Sequence, residues 1–208
     1  MRINKKKFIY LISPNYIKNN DFYEKLKKIL SSNKVNFFQL RLKKEKRKKK
    51  IIIAKKIKKI CKKYKVKFII NDDPLLAKKI NADGCHLGQK DMKFLEAKKI
   101  LKNKIIGVTC HNSVRLARRA ISNGANYLAF GSFYSSKTKK VRYTARLKVL
   151  SLAKEITKIP IVAIGGIKDT NYKKLLLNKA NFLAISGYIW NNKKYKPLEA
   201  IRKINNED

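Results

Sequence analysis

The sequence predicts an α/β chain folded as one (β/α)₈ TIM barrel, and three observations carry that prediction. Eight short apolar runs, each bounded by Gly, Pro, Asn or Asp, recur along the 208 residues. Segments of helical period lie between them. A three-residue echo, Asn81-Ala82-Asp83, Gly124-Ala125-Asn126 and Lys179-Ala180-Asn181, precedes the fourth, sixth and eighth runs.

The runs are FIYLI (8–12), FFQL (37–40), KFII (67–70), GCHLG (84–88), KIIGV (104–108), YLAFG (127–131), PIVAIG (160–165) and FLAISG (182–187). They are short and rich in β-branched and aromatic residues, which marks strands buried on both faces. Among the intervening segments, Ile53, Ile57, Ile60, Cys61 and Tyr64 form one apolar stripe with lysines elsewhere, the mark of a helix lying on a core. Val114, Ala117 and Ile121 make a second stripe, and Val149, Leu152 and Ile156 a third. Leu198 to Ile204 closes the series. Ser113 and Asp169 stand where N-caps are expected. The echo suits the turn from helix to strand, with Gly or Asn in the left-handed cap. Strict alternation argues for a parallel sheet. Eight units in 208 residues fit a compact barrel, at the short end of the usual ~250 residues. An open doubly wound sheet is the second choice; it lacks a GxGxxG after an early strand. No domain boundary is visible, so residues 1–208 are read as a single domain.

Composition limits the functional classes. No apolar run approaches the ~20 residues of a membrane span, and Phe8 to Ile12 is too short for a secretory signal; a cytoplasmic location is expected. Three widely spaced cysteines with no CxxC read as reduced thiols. Lys plus Arg number 53 against 13 Asp plus Glu, a net charge of +40. The lysines spread along the whole chain, with one dense run at Lys43 to Lys50, and no nucleic-acid motif or stacking spacing of aromatics accompanies them. Specific nucleic-acid partners are therefore not expected. The oligomeric state is not written in the sequence.

In a barrel, chemistry gathers at the carboxyl ends of the strands. Gln39, Arg41 and Lys43 alternate after the second strand, so one face of an extended segment carries all three. Asn71 and Asp72 follow the third strand, Gln89 and Asp91 the fourth, Thr109 and His111 the fifth. SFYSSKTKK (132–140) follows the sixth, Gly165-Gly166 the seventh and Ser186-Gly187 the eighth. The last two suit a phosphate, because backbone N–H groups and a helix start can face an anion there. Asp72 and Asp91 end adjacent strands. They can pair over Mg²⁺, which takes one or two carboxylates plus waters and substrate phosphates, or serve as caps and turn formers. Spacing leaves both readings open. Asp73 and Asp83 are read as caps or turns. Cys85, His86, Cys110 and His111 are poor zinc ligands as a set, because strand neighbours point to opposite faces.

Gln39-x-Arg41-x-Lys43, FIIND, ADGxHLGQxD, IGVTxH, GANYLAFG with a Thr-Lys loop, and IVAIGGI together resemble the thiamine-phosphate synthase family, in order from about residue 36 to 187. The resemblance implies a (β/α)₈ barrel and a transferase of thiamine biosynthesis. A hydroxymethylpyrimidine diphosphate loses pyrophosphate, and a thiazole phosphate captures the pyrimidine methylene. It implies small phosphorylated substrates as partners and Mg²⁺ as cofactor, held by Asp72 and Asp91. Gln39, Leu40, Arg41, Leu42, Lys43, Asn71, Thr109 and Lys139 would bind the pyrimidine diphosphate, with Arg41, Lys43 and Lys139 catalytic. Ser136, Lys137, Thr138, Gly166, Ser186 and Gly187 would bind the thiazole phosphate. Three departures stand out: Leu42 replaces a customary acid, Ser135-Ser136 stands for Pro-Thr, and Thr109 for Ser. The related thiazole tautomerase carries a catalytic His where this chain has Ser132.

Overall fold

A computed structural model describes residues 8–135 and 144–205. Eight parallel strands among the described residues close into a barrel in sequence order, with β1 hydrogen-bonded to both β2 and β8. The strands are β1 (Ile9–Ile12), β2 (Val35–Leu40), β3 (Lys67–Asn71), β4 (Gly84–Leu87), β5 (Ile105–His111), β6 (Tyr127–Phe130), β7 (Ile161–Ile164) and β8 (Phe182–Ile185). All eight apolar runs are strands. β2 begins two residues early, and β5 runs on to His111 past an irregular register after Thr109.

The helices are α1 (Asp21–Ser31), α2 (Arg47–Lys63), α3 (Pro74–Lys79), α4 (Phe94–Leu101), α5 (Val114–Ser122), α6 (Lys148–Ile156), α7 (Tyr172–Leu177), α8 (Gly187–Trp190) and α9 (Pro197–Ile204). Ile53, Ala54, Ile57, Ile60 and Cys61 bury one face of α2 and leave its lysines outside. Ser113 caps α5 by accepting from the Leu116 N–H. Asp73 caps α3 through the Leu76 N–H, with Pro74 beginning the helix. Asp83 accepts from the Phe68 N–H at 2.8 Å and so joins the β4 start to β3. Asp169 does not cap α7. The N-cap position falls to Asn171, and Asp169 bonds only as far as the Thr170 N–H, because the chain turns once more before the helix begins.

Strand side chains alternate between two apolar clusters. Tyr10, Ile12, Ile69, Tyr127, Ala129, Val162 and Ala184 fill the barrel interior, with Phe37, Ile105, Ile164 and Phe182 around them. Their neighbours Ile9, Leu11, Phe38, Leu40, Phe68 and Ile70 face outward into the larger cluster that the helices cover. Each fully buried Ile, Leu or Phe contributes roughly 1.5–3 kcal/mol. Gly107 is needed inside because the Tyr127 ring occupies the space a Cβ would take. The three cysteines are buried and unpaired with one another.

Candidate active site

The carboxyl ends of β2, β3 and β4 meet at one mouth of the barrel. β3 ends at Asn71, and Asp72 turns away in the left-handed region, φ 64°, which Asp tolerates better than most residues. Its N–H donates to the His86 carbonyl at 2.8 Å, so the turn is held on β4. Asp91 is brought in by the turn after β4: the Gly88 N–H donates to its Oδ2 at 2.7 Å. The Asp72 and Asp91 carboxyl groups lie close enough to displace each other's titration. Lys43 Nζ lies 2.8 Å from Asp72 Oδ2.

Two carboxylates this close cannot both ionise easily. Burial works against the Asp72 charge, yet the bond from Asp91 and the Lys43 ammonium outweigh it and hold its carboxyl below the usual range. Asp91 is displaced the other way, by burial and by its bond to Asp72. No group of three or more His, Cys, Asp and Glu able to hold a metal occurs among the described residues; the acidic set at the mouth is this pair.

Arg41 follows β2 and hydrogen-bonds the Asn15 Oδ1 at 3.1 Å, and burial depresses its guanidinium pKa against the pull of Asp72. Gln39 is 4% exposed and donates to Tyr10 Oη at 2.9 Å inside the barrel. Leu40 and Leu42 are buried in the outer cluster. Asn71 is half-buried and, with Asp72 and Lys43, lines a cavity of ≈ 210 Å³ beside the mouth, with Leu40, Leu42 and Ile70 below. Thr109 Oγ1 lies 2.8 Å from His86 Nε2, and Gln89 donates to the Thr109 carbonyl. His86 is neutral, its pKa pushed down to about 4 by burial, with Asp72 opposing.

The opposite rim is made by β7 and β8. Gly165 and Gly166 both take positive φ, 107° and 62°. A Cβ on Gly165 would strike Ser132, and one on Gly166 would strike Tyr134 and Ser135, so only glycine lets the loop after β6 lie on them. Ser186 precedes the short α8, which begins at Gly187, and donates to the Ser13 carbonyl at 3.0 Å. Ser136, Lys137, Thr138 and Lys139 lie outside the described residues.

Four residues without a place in the site on sequence grounds, His86 entering there only as a poor zinc ligand, join its polar groups. Ser13, 2% exposed, accepts the Arg41 N–H on its Oγ and the Ser186 hydroxyl on its carbonyl, so it ties the two rims together. Tyr10, Tyr127 and His86 carry the polar line that joins Gln39 to Thr109. Inward alternation from Gln39 and Thr109 was the available signal, but it does not show which strands meet.

The thiamine monophosphate synthase family model matches residues 9–189. The chain belongs to that family. A thiamine-phosphate synthase of Pelagibacter ubique is 72% identical over 206 residues, 98% of this chain and 100% of that protein. One of Erythrobacter litoralis is 38% identical over 197 residues, 92% of each. Among solved structures, thiamine phosphate pyrophosphorylase from Pyrococcus furiosus superposes with a TM-score of 0.84 at 27% identity, covering 97% of this chain and 95% of its own. The fold of this thiamine monophosphate synthase family member is the TIM barrel argued from its strands, and its activity is that of a thiamine-phosphate synthase, a transferase.

Proposed function

We propose that the whole chain, residues 1–208, works as one domain that joins hydroxymethylpyrimidine diphosphate to thiazole phosphate, with Asp72 and Asp91 holding Mg²⁺ at the mouth. The observation that carries this reading is the meeting of Asp72 and Asp91 at one mouth of the barrel, with Lys43 Nζ 2.8 Å from Asp72. Two hard oxygen donors following adjacent strands suit a divalent cation completed by water and substrate phosphate. Bound Mg²⁺ would supply positive charge to the leaving diphosphate.

The remaining work belongs to the protein's own groups. Arg41, Lys43 and Lys139 hold the diphosphate and offset the charge it gains as the methylene C–O bond breaks. Gln39 and Asn71 fix the pyrimidine, Thr109 meets the diphosphate where it joins the methylene, and Leu40 and Leu42 shape the wall. Gly166, Ser186 and Gly187, with Ser136, Lys137 and Thr138, hold the thiazole phosphate so that its ring nitrogen faces the methylene. The nitrogen lone pair forms the new C–N bond, and pyrophosphate departs with the electrons of the old one. Leaving-group stabilisation matters more here than a strong base, which agrees with a site rich in cations.

Ser132, whose hydroxyl donates to the Tyr134 carbonyl, stands where the tautomerase relatives place a catalytic His, and this disfavours that activity. No described helix is long and apolar enough to cross a membrane, which agrees with work on small phosphorylated metabolites in the cytoplasm. The test mixes both substrates with Mg²⁺ and follows products. Thiamine phosphate and pyrophosphate in equal amounts are expected; isomerised thiazole and no pyrophosphate would give the tautomerase instead.

A further inference from the structure

Five side chains cross the barrel interior in one hydrogen-bonded line. Gln39 Nε2 donates to Tyr10 Oη at 2.9 Å. Tyr10 Oη and Tyr127 Oη lie 2.7 Å apart. Tyr127 Oη is 2.9 Å from His86 Nδ1, and His86 Nε2 is 2.8 Å from Thr109 Oγ1. The line runs from β2 through β1, β6 and β4 to β5. Its middle is dry: Tyr10 is 1% and Tyr127 3% exposed. Packing fixes it further, since the Tyr127 ring stacks on His86 with centroids 5.6 Å apart and meets Tyr10 edge-on.

Counting protons gives the line a direction. A hydroxyl has one proton to donate, and a buried one must find an acceptor. Gln39 already donates to Tyr10, so the Tyr10 proton goes to Tyr127. The Tyr127 proton then goes to His86 Nδ1. A neutral imidazole that accepts at Nδ1 carries its proton on Nε2, and that proton is given to Thr109. The Thr109 hydroxyl accepts from inside, and its own proton is the donor left over at the mouth. The reverse direction needs the Gln39 amide turned over. It puts the imidazole proton on Nδ1 and spends the Thr109 proton inside the core.

We propose that His86 is a positioning residue: held by Tyr127 as the Nε2–H tautomer, it reserves the Thr109 hydroxyl as a hydrogen-bond donor for the pyrimidine diphosphate. The inference rests on the reading that Thr109 contacts that substrate. A donor to an oxygen that gains charge as the C–O bond breaks helps the transition state more than the ground state. Its loss therefore falls on kcat rather than KM.

The first test needs no substrate. Long-range proton–nitrogen NMR on the ¹⁵N-labelled full chain distinguishes the two tautomers. The chain has two histidines, and the signals missing from a His86→Gln variant are those of His86. Protonated Nε2 and bare Nδ1 are expected; protonated Nδ1 overturns the proposal. The second test is kinetic. His86→Leu is expected to lower kcat about tenfold or more, with KM for the pyrimidine diphosphate changed less than about threefold. His86→Gln, whose amide can donate near the Nε2 position, is expected to recover most of the loss. Equal rates for the two variants, both melting like the parent, overturn the proposal. Tyr127→Phe removes one oxygen and serves where His86→Leu does not fold. It is expected to let His86 populate both tautomers and to lower kcat; an unmoved tautomer with an unmoved kcat overturns the proposal. A parent chain that makes no thiamine phosphate would fault the activity reading alone, and the tautomer measurement would still decide this one.

Discussion

Asp72 and Asp91 lie close enough to displace each other's titration, Asp72 downward and Asp91 upward. Asp91 has a raised pKa, through burial first and its bond to Asp72 second. A carboxyl raised above its unfolded value adds stability below that unfolded value and loses it as pH climbs through the folded one. The metal-free protein should therefore lose stability as pH rises through the Asp91 titration. Asp91→Asn, which has no proton to lose there, should remove that part of the decline and melt no lower than the parent near neutrality. Mg²⁺ should raise the parent's melting temperature near neutrality and leave it unmoved in acid, where the proton holds the pair; the Asn variant should not respond at either pH. Calorimetry across pH, with and without Mg²⁺, checks this. Either Asp72→Asn or Asp91→Asn should cut Mg²⁺-dependent turnover at least tenfold, on the order of 1.4 kcal/mol or more. These two acids were legible in the sequence because each follows a recognisable apolar run. The roles of Ser13, Tyr10, His86 and Tyr127 were not, and His86 drew notice in the sequence only as a poor zinc ligand. Each lies in or beside an apolar strand, and a polar tip turned inward gains meaning only when the register of five different strands is known.

At the scale of elements, the sequence showed where strands lie better than how helices end. All three triplets of the echo leave a helix through a left-handed residue: Asn81 at φ 52°, Gly124 at 87° and Lys179 at 74°. The expected Gly or Asn fills two of these places, and a lysine fills the third. Asn33 and Lys65, after α1 and α2, also take positive φ, and so does Lys102 after α4, there with a ψ of −110°. A lysine gives no sign of it in sequence, because only the backbone shows that its Cβ is crowded. Such a residue carries roughly 1–2 kcal/mol of local strain, while glycine would lose roughly 0.5–1 kcal/mol of chain entropy on ordering. The strain is the larger effect. Lys179→Gly should therefore stabilise the fold by about 0.5 kcal/mol or more, seen as a higher denaturant midpoint with an unchanged slope. An equal or lower midpoint would mean that the lysine side chain makes up the difference. Asp169 shows the same limit from the other end of a helix. It has the chemistry of an N-cap, but one added turn of chain moves the cap to Asn171.

The whole molecule carries a net charge of +40, and that excess acts on stability and on substrate capture in opposite senses. If every acid paired with one base, 40 bases would still lack an acidic partner. The ion pairs at the mouth, Lys43 with Asp72 and Arg47 with Asp73, use acids that the fold already holds in place. The basic run from Lys43 leads directly into α2, with no acid in its first turn, so the helix dipole adds to the positive field there. Self-repulsion of this size opposes the compact state, and salt relieves it, because the Debye length falls from about 30 Å at 0.01 M to about 10 Å at 0.1 M. The melting temperature should rise over that range. The same field draws doubly charged phosphates toward the mouth, and screening weakens that attraction. KM for the pyrimidine diphosphate should therefore rise several-fold over the same range, while kcat, set by groups in contact with bound substrate and shielded from bulk ions, stays nearly level. Steady-state kinetics in a chloride series at fixed Mg²⁺, run beside a melting series in the same buffers, separates the two effects. A KM indifferent to salt alongside a rising melting temperature would show that the surface lysines burden the fold without guiding the substrate. A kcat that falls with KM would move the salt effect into the site itself, onto Arg41 and Lys43.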